Sequence, residues 1–256
     1  LKRATVAVLD APGYRELETF EVRAKNVILA ANAVGSTQLV LRSGLGNAHA
    51  GRHLSLQPQA PVVADFDEKI VGYRGIPQAY AVTEHEEKTA ERGLGGFRVE
   101  GVYGTPGLAG TLMGYSGHEL KQFMMRYDHL AASLCLTPDE AVGAVGLHPD
   151  GRVKLDYALT EDNKARLRAA MKLAARAYFA AGARRVHLAT MKTRSFTQAS
   201  ELGVIDEVGF APASITLISA HQQGGLRMAA SSSQGALDPD GQLYGSKGVY
   251  AFDSAG

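Results

Sequence analysis

The sequence predicts a chain of mixed class, α/β at its two ends and α+β between them. Three observations carry this. Near the start, Val27-Ile28-Leu29-Ala30-Ala31 reads as a short apolar strand that runs straight into a turn of small residues and a helix start. Near the end, Gly248-Val249-Tyr250-Ala251-Phe252-Asp253 reads as a second buried strand, closing on a carboxylate. Between them the pattern changes to glycine-rich, antiparallel-type strands and two helical faces. The ends, residues 1–58 and 215–256, are therefore read as one divided domain, and residues 59–214 as a second domain inserted into it.

The elements follow in order. Thr5-Val6-Ala7-Val8-Leu9, a Pro12-Gly13 turn and the alternation through Leu17, Thr19, Glu21 and Arg23 predict a hairpin. The run from Val27 to Ala31 suits a strand covered on both faces in a parallel sheet. Asn32 to Ser36 then leads into a helix over Thr37 to Arg42, capped by Ser36 and stopped by Gly44. Ala60 to Phe66 and Phe97 to Tyr103 are strand candidates. Leu120, Phe123, Met124, Tyr127, Leu130, Ala131 and Leu134 fall at three- and four-residue spacing, which predicts an amphipathic helix over His118 to Leu134 with Cys135 packed at its end. Ala144 to Leu147, the turn His148-Pro149-Asp150-Gly151 and Arg152 to Tyr157 form a hairpin. A second helix starts at Thr160, with Glu161 and Asp162 in its first turn, and ends at Gly182. Ile215 to Ser219 is a strand leading into His221, and Asp238-Pro239-Asp240-Gly241 is a turn before the last strand.

Composition removes several classes. The 256 residues are 45% hydrophobic and 21% charged with 29 glycines, which excludes a disordered tail, a coiled coil or a collagen-like rod. Lys+Arg 27 against Asp+Glu 26 leaves +1, with no like-charge run to track a phosphate backbone, so no nucleic-acid partner is expected. The longest nearly apolar stretch, Val27 to Ala33, is far short of the roughly 18 residues of a transmembrane segment. One cysteine, Cys135, excludes an internal disulfide framework. The chain begins at Leu1 and stops at Asp253-Ser254-Ala255-Gly256, directly after a strand, and so reads as an excerpt of a longer protein. Any targeting segment would precede Leu1, which leaves the compartment open.

His221 is the most informative single residue. It stands after an apolar strand and before Gln222-Gln223-Gly224-Gly225-Leu226-Arg227-Met228, so a glycine-rich turn presents an imidazole able to take a hydroxyl proton near neutral pH. A turn histidine satisfied by backbone groups has the same local pattern. Asp253 suits hydrogen bonds from a ribose or ribityl chain, or an N-cap of a following helix, and Asn32 carries the same ambiguity. Gly93-Leu94-Gly95-Gly96 lacks the spacing and context of a dinucleotide fingerprint. The eight histidines have no ligand spacing, so no metal is expected, and no Gly-x-Ser-x-Gly elbow supports a hydrolase.

In order along the chain, these segments resemble the glucose-methanol-choline (GMC) oxidoreductase family. Val27 through Leu39, closing with Leu41-Arg42-Ser43-Gly44-Leu45-Gly46, is similar to its strand, Ala-Gly-Ala turn, Ser-Pro helix start and Ser-Gly-Ile-Gly ending. Gly51-Arg52-His53-Leu54 resembles its Gly-Arg-Asn-Leu segment, and His221 to Met228 its His-Pro-x-Gly-Thr-Cys-Arg-Met. Asp238-Pro239-Asp240-Gly241, Tyr244-Gly245 and Gly248 to Ser254 resemble its closing run. The middle section, from Gly93 through Arg126-Tyr127-Asp128-His129 to Gly151-Arg152-Val153, is most similar to the long-chain alcohol oxidase branch. Asn32 replaces the usual glycine, Thr37 the proline, Gln57 a common histidine and Leu226 a common cysteine or threonine.

The resemblance implies a partial two-part, Rossmann-like FAD-binding domain (1–58 and 215–256) and an inserted substrate domain of antiparallel β-sheet plus helices (59–214). It implies FAD as cofactor, a small-molecule alcohol as substrate, and His221 as the catalytic base; the apolar face of Leu120 to Leu134 suits a long-chain or sterol-like alcohol and equally an ordinary packed helix. Asp253 and Ser254 would lie against the flavin, and Ala30, Ala31 and Asn32 near its nucleotide portion. The family's dinucleotide fingerprint would precede Leu1, and its second catalytic His or Asn would follow Gly256. The alternative is a non-catalytic fragment or subunit that needs the remainder of its polypeptide, or a partner chain, to complete the flavin site.

Overall fold

The structure, a computed structural model, describes every residue except 14, 88–94 and 193; Gly93 and Leu94 of the expected glycine loop lie outside the described residues. Strands β1 (Lys2–Leu9), β2 (Glu16–Ala24) and β3 (Val27–Leu29) precede helix α1 (Asn32–Arg42), and β4 (Arg52–Ser55) and β5 (Gln59–Asp65) follow it. Then come β6 (Ala81–Val82), β7 (Arg98–Val102), α2 (Pro106–Leu112), α3 (Gly117–Met125), β8 (Leu130–Leu136), β9 (Gly143–Leu147) and β10 (Val153–Asp156). Helix α4 (Glu161–Ala180), β11 (Arg185–Leu188), β12 (Arg194–Phe196), β13 (Gln223–Gly225) and β14 (Val249–Ala251) complete the chain. No described helix is long and apolar enough to cross a membrane. The chain is of mixed α/β class and divides into two compact units: unit 1 is residues 1–56, 140–158 and 221–256, and unit 2 is residues 57–139 and 159–220.

In unit 1, β1 and β2 pair antiparallel from Lys2↔Ala24 to Leu9↔Glu16, as the alternation predicts. β3 pairs in parallel with β14, Val27↔Val249 through Leu29↔Ala251, so the two ends of the chain share a sheet. A four-stranded sheet in the order β10-β9-β4-β13 stands beside this pair in the same unit. Its core is Val40 with Leu226, Leu237, Leu243, Val249 and Ala251, and a second cluster joins Ala33, Leu54 and Val145. The sequence reading carries the inserted part unbroken from 59 to 214, but residues 140–158 lie in unit 1. The 143–156 hairpin seals the open edge of β4, and a Cβ at Gly143 would stand 2.9 Å from the Leu54 carbonyl oxygen. Two further expectations change. α1 begins at Asn32, not Thr37, because Ser36 is used inside the helix; and Ile28 in β3 is 62% exposed, where cover on both faces is expected.

In unit 2, an antiparallel six-stranded sheet has the order β12-β11-β5-β8-β7-β6. β5 is buried along its whole length, and alternation divides its side chains between the two faces. Ala60, Val62 and Ala64 join the core with Leu167, Met171 and Ala174 of α4. α4 begins where Thr160 predicts: its hydroxyl accepts from the Asn163 N–H, and the Asn163 side chain answers at the Thr160 N–H. The helix expected over His118 to Leu134 ends at Met125; one 3-10 turn, Tyr127–His129, intervenes, and Leu130–Leu136 is strand β8, with Cys135 inside it. β8 lies between β5 and β7 and is packed on both faces, so its unbroken run of small and apolar residues fits helix spacing by default. Arg126 holds the break, its guanidinium donating to Asp65 at 2.8 Å and to the Phe66 carbonyl. Ile215–Ser219, expected as a strand of the divided end domain, makes only isolated bridges, Ile215 to Thr190 and Ile218 to Gln59, within unit 2.

Candidate functional site

The carboxyl ends of β3 and β14 lie side by side in unit 1, and each runs into a segment that the sequence singles out. After β3, Ala30 and Ala31 lead to Asn32, which takes a positive φ of 65° as α1 begins. After β14 come Phe252, Asp253 and Ser254. Ser36, buried in the second turn of α1, joins the two: its hydroxyl accepts from the Ala31 N–H at 2.9 Å and donates to Asp253 Oδ2 at 2.5 Å. The Ala255 N–H donates to Asp253 Oδ1 at 2.8 Å. The Ala33 N–H donates to Ser254 Oγ at 3.1 Å, and the Val34 and Gly35 N–H groups donate to Asn32 Oδ1 at 3.0 and 3.1 Å.

The turn that carries His221 is anchored to the same place. The Gly224 N–H donates to the Ser254 carbonyl at 2.7 Å, and the Leu226 N–H to the Ala255 carbonyl at 2.8 Å. Gly225 has φ 98°, and a Cβ there would stand 2.2 Å from Thr37 Oγ1, so only glycine lets this strand lie on α1. The Thr37 hydroxyl is fully buried and has no hydrogen-bond partner among the described residues. His221 itself is exposed at the start of the turn. Three stretches distant in sequence, Ala30–Ser36, His221–Leu226 and Asp253–Ala255, are thus joined by direct bonds.

What this arrangement can bind follows from its free valences. The half-buried Asp253 carboxylate accepts from Ser36 and Ala255 and keeps lone pairs to spare, and Ser254 is exposed beside it. A polyhydroxylated chain matches that set. The Ala33, Val34 and Gly35 N–H groups of the α1 N-terminus are committed to side chains of the unit itself, so these three are not left to cradle a phosphate.

Sequence reasoning misses a second feature of unit 1, an imidazole pair. His49 Nδ1 and His53 Nε2 are 3.4 Å apart with their rings stacked, and His49 Nε2 meets the Ser233 carbonyl at 2.9 Å. Burial first, then the charges of Arg227, His49 and Arg52, hold His53 below the ordinary imidazole pKa. His49 and His53 are four residues apart, but no pattern in the sequence distinguishes them from ordinary loop histidines.

Unit 2 contains a cavity of about 500 Å³ on the face of the sheet opposite α4. Pro61 and Val63 of β5, Leu134 of β8, Met113 after α2, Phe123 of α3 and Ile218 supply apolar wall. No Asp, Glu, Lys, Arg or His stands among its described lining residues. Gln59, the first residue of β5, also lines it and is 1% exposed. A single glutamine within an apolar strand gives no sequence signal.

Comparison with known proteins gives a consistent set. The family model described as GMC oxidoreductase matches residues 119–255. The long-chain-alcohol oxidase FAO4B of Arabidopsis thaliana is 27% identical over 270 residues, covering 99% of this chain and 35% of that protein. An uncharacterized GMC-type oxidoreductase of Mycobacterium tuberculosis is 28% identical over 239 residues, covering 93% of this chain and 37% of that protein. The chain therefore spans about a third of the length of the curated relatives it matches. Among solved structures, the formate oxidase of Aspergillus oryzae RIB40, in a study of its FAD modification, superposes with a TM-score of 0.61 at 16% identity, covering 97% of this chain and 52% of that one. A second structure of formate oxidase gives a TM-score of 0.59 at the same 16% identity, with 97% and 52% covered, and the two likenesses are likenesses of fold.

Proposed function

Because the chain belongs to the GMC oxidoreductase family, we propose that it is the carboxyl-terminal part of an FAD-dependent oxidoreductase that oxidises the CH–OH group of an alcohol, with His221 as general base. The observation that carries the reading is the junction in unit 1, where the His221 turn is bonded to the Asp253–Ala255 segment and, through Gly225, packed on α1. FAD, when bound, supplies the acceptor for the hydride that leaves the carbinol carbon. Asp253 would accept hydrogen bonds from its ribityl or ribose hydroxyls, with Ser254 beside it. Ala30, Ala31 and Asn32 would run along the nucleotide portion, where small side chains let backbone approach closely. His221 would take the hydroxyl proton on an imidazole nitrogen, and an exposed histidine on a glycine-rich turn is accessible to that hydroxyl.

Unit 2 would hold the body of the alcohol, since its cavity offers apolar wall and no charged lining residue. The two-part, Rossmann-like FAD domain would be completed by a dinucleotide fingerprint from the remainder of the polypeptide or from a partner chain. The test uses the complete flavoprotein, mixed anaerobically with alcohol while flavin absorbance is followed. His221→Asn and His221→Ala should slow flavin reduction by about 10²- to 10⁴-fold while the bound-flavin spectrum is unchanged. A rate within threefold of native would remove His221 from the mechanism.

A further inference from the structure

We infer that Gln59 is the residue of unit 2 that binds the substrate hydroxyl, and that the cavity therefore selects a neutral hydroxyl carried on an otherwise apolar body. The inference rests on the alcohol-oxidation reading and deepens it. Gln59 is 1% exposed, yet its side-chain amide makes no hydrogen bond with any described residue. Neither of its polar atoms is sealed off without a partner in the way that the Thr37 hydroxyl is, so the amide reaches open space, and the space beside it is the cavity that it lines.

An amide buried without a partner costs free energy, and a group kept in that state is explained by what it binds. The other polar groups of the lining are engaged with other residues or open to solvent. Gln78 donates to Glu100, the Tyr127 hydroxyl donates to the Gly104 carbonyl with Tyr103 against it, and Tyr80 is 89% exposed. Glutamine offers an acceptor, Oε1, and donors, on Nε2, which together match a hydroxyl that both gives and accepts. A carboxylate or an ammonium ligand would instead bring an unpaired charge against a lining with no charged side chain.

The position of the amide is fixed by its own backbone. The Gln59 N–H donates to the Ile218 carbonyl and the Gln59 carbonyl accepts from the Ile218 N–H, both at 2.9 Å. Gln59 therefore belongs to the part of the wall formed by Ile218 and Ala220. Its neighbours on the same face of β5, Pro61 and Val63, are apolar, and so are Leu134 and Ala132, which pair with them across β8.

The test measures binding without turnover. A tertiary alcohol has no hydrogen on its carbinol carbon and gives up no hydride, so its affinity for the complete flavoprotein is read directly by calorimetry and compared with the hydrocarbon in which hydrogen replaces the hydroxyl. The native protein should favour the alcohol by about tenfold, the scale of one neutral hydrogen bond in a dry site. Gln59→Met, similar in length and without donors, should bring that ratio to near one while the hydrocarbon binds as before. Gln59→Leu serves as the second host if the methionine variant melts early. A ratio unchanged in the folded variant, or no preference in the native protein, overturns the inference. If primary alcohols fail to reduce the native flavin, the oxidation reading falls, and the binding ratio still judges Gln59 separately.

Discussion

Tyr115 Oη and His187 Nδ1 stand 2.7 Å apart in unit 2, with the Phe123 ring against both, and burial lowers the His187 pKa from 6.5 to about 4, helped by the nearby charge of Arg185. Because the folded value lies below the unfolded one, the unfolded chain binds the extra proton, and stability falls as pH drops from about 6.5 to about 4. The full effect is on the order of 3 kcal/mol. Urea unfolding at pH 7 and pH 4.5 should show this loss in the native protein, and His187→Leu should flatten the difference at the expense of lower stability at pH 7, since Tyr115 then loses one of its two side-chain partners, keeping Ser195. A slope as steep in the variant would assign the acid sensitivity to other groups. At this scale the sequence is legible only where a residue sits in a patterned context. His221 and Asp253 follow apolar runs in the sequence and stand next to glycine or small residues, and that context singles them out. Gln59 and His187 lie within strands whose neighbours are apolar, and burial, which strand periodicity does not rank residue by residue, is what makes them matter.

α4 and β8 show what makes an element legible. α4 carries its own start signal, and the Thr160 and Asn163 side chains close a reciprocal cap with a Thr160 Oγ1 to Asn163 N–H distance of 3.2 Å. Thr160→Ala should destabilise the chain by about 1 kcal/mol, read as a lower denaturation midpoint with the slope unchanged. No change in the midpoint would mean that the packing of Leu167, Ala170 and Met171 against the sheet fixes the helix start without the cap. β8 has no such signal. It is a strand because β5 and β7 lie on both sides of it and satisfy its backbone, with Ala60↔Cys135 and Val99↔Cys135 in register. Burial also pushes the Cys135 thiol pKa up, which makes it a packing residue of the sheet core. α1 lies between these cases. Its stop at Gly44 is readable, but its start is moved back to Asn32 by bonds to Ser254 and Asp253, more than two hundred residues away in sequence.

For the whole molecule, pairing of the first and last segments follows from two apolar strands with complementary ends, and β3 and β14 do pair in parallel. The return of residues 140–158 to unit 1 is not readable, because a hairpin's own pattern is the same whichever strand edge it covers. The junction makes a prediction at this scale. In the complete flavoprotein, Asp253→Ala should weaken FAD retention by about tenfold or more, the scale of one hydrogen bond to a charged acceptor, seen as flavin lost on dialysis. Full retention would place the polyol contact elsewhere. The interleaving of the two units also has a consequence for how the protein is made. Every segment of unit 2 is synthesised once residue 220 is added, whereas β3 and β4 of unit 1 wait for β14 and β13, which come later in the chain. Unit 2 is thus free to finish folding first, while β3 and β4 of unit 1 are each carried with an edge unmatched until residues 223–251 emerge.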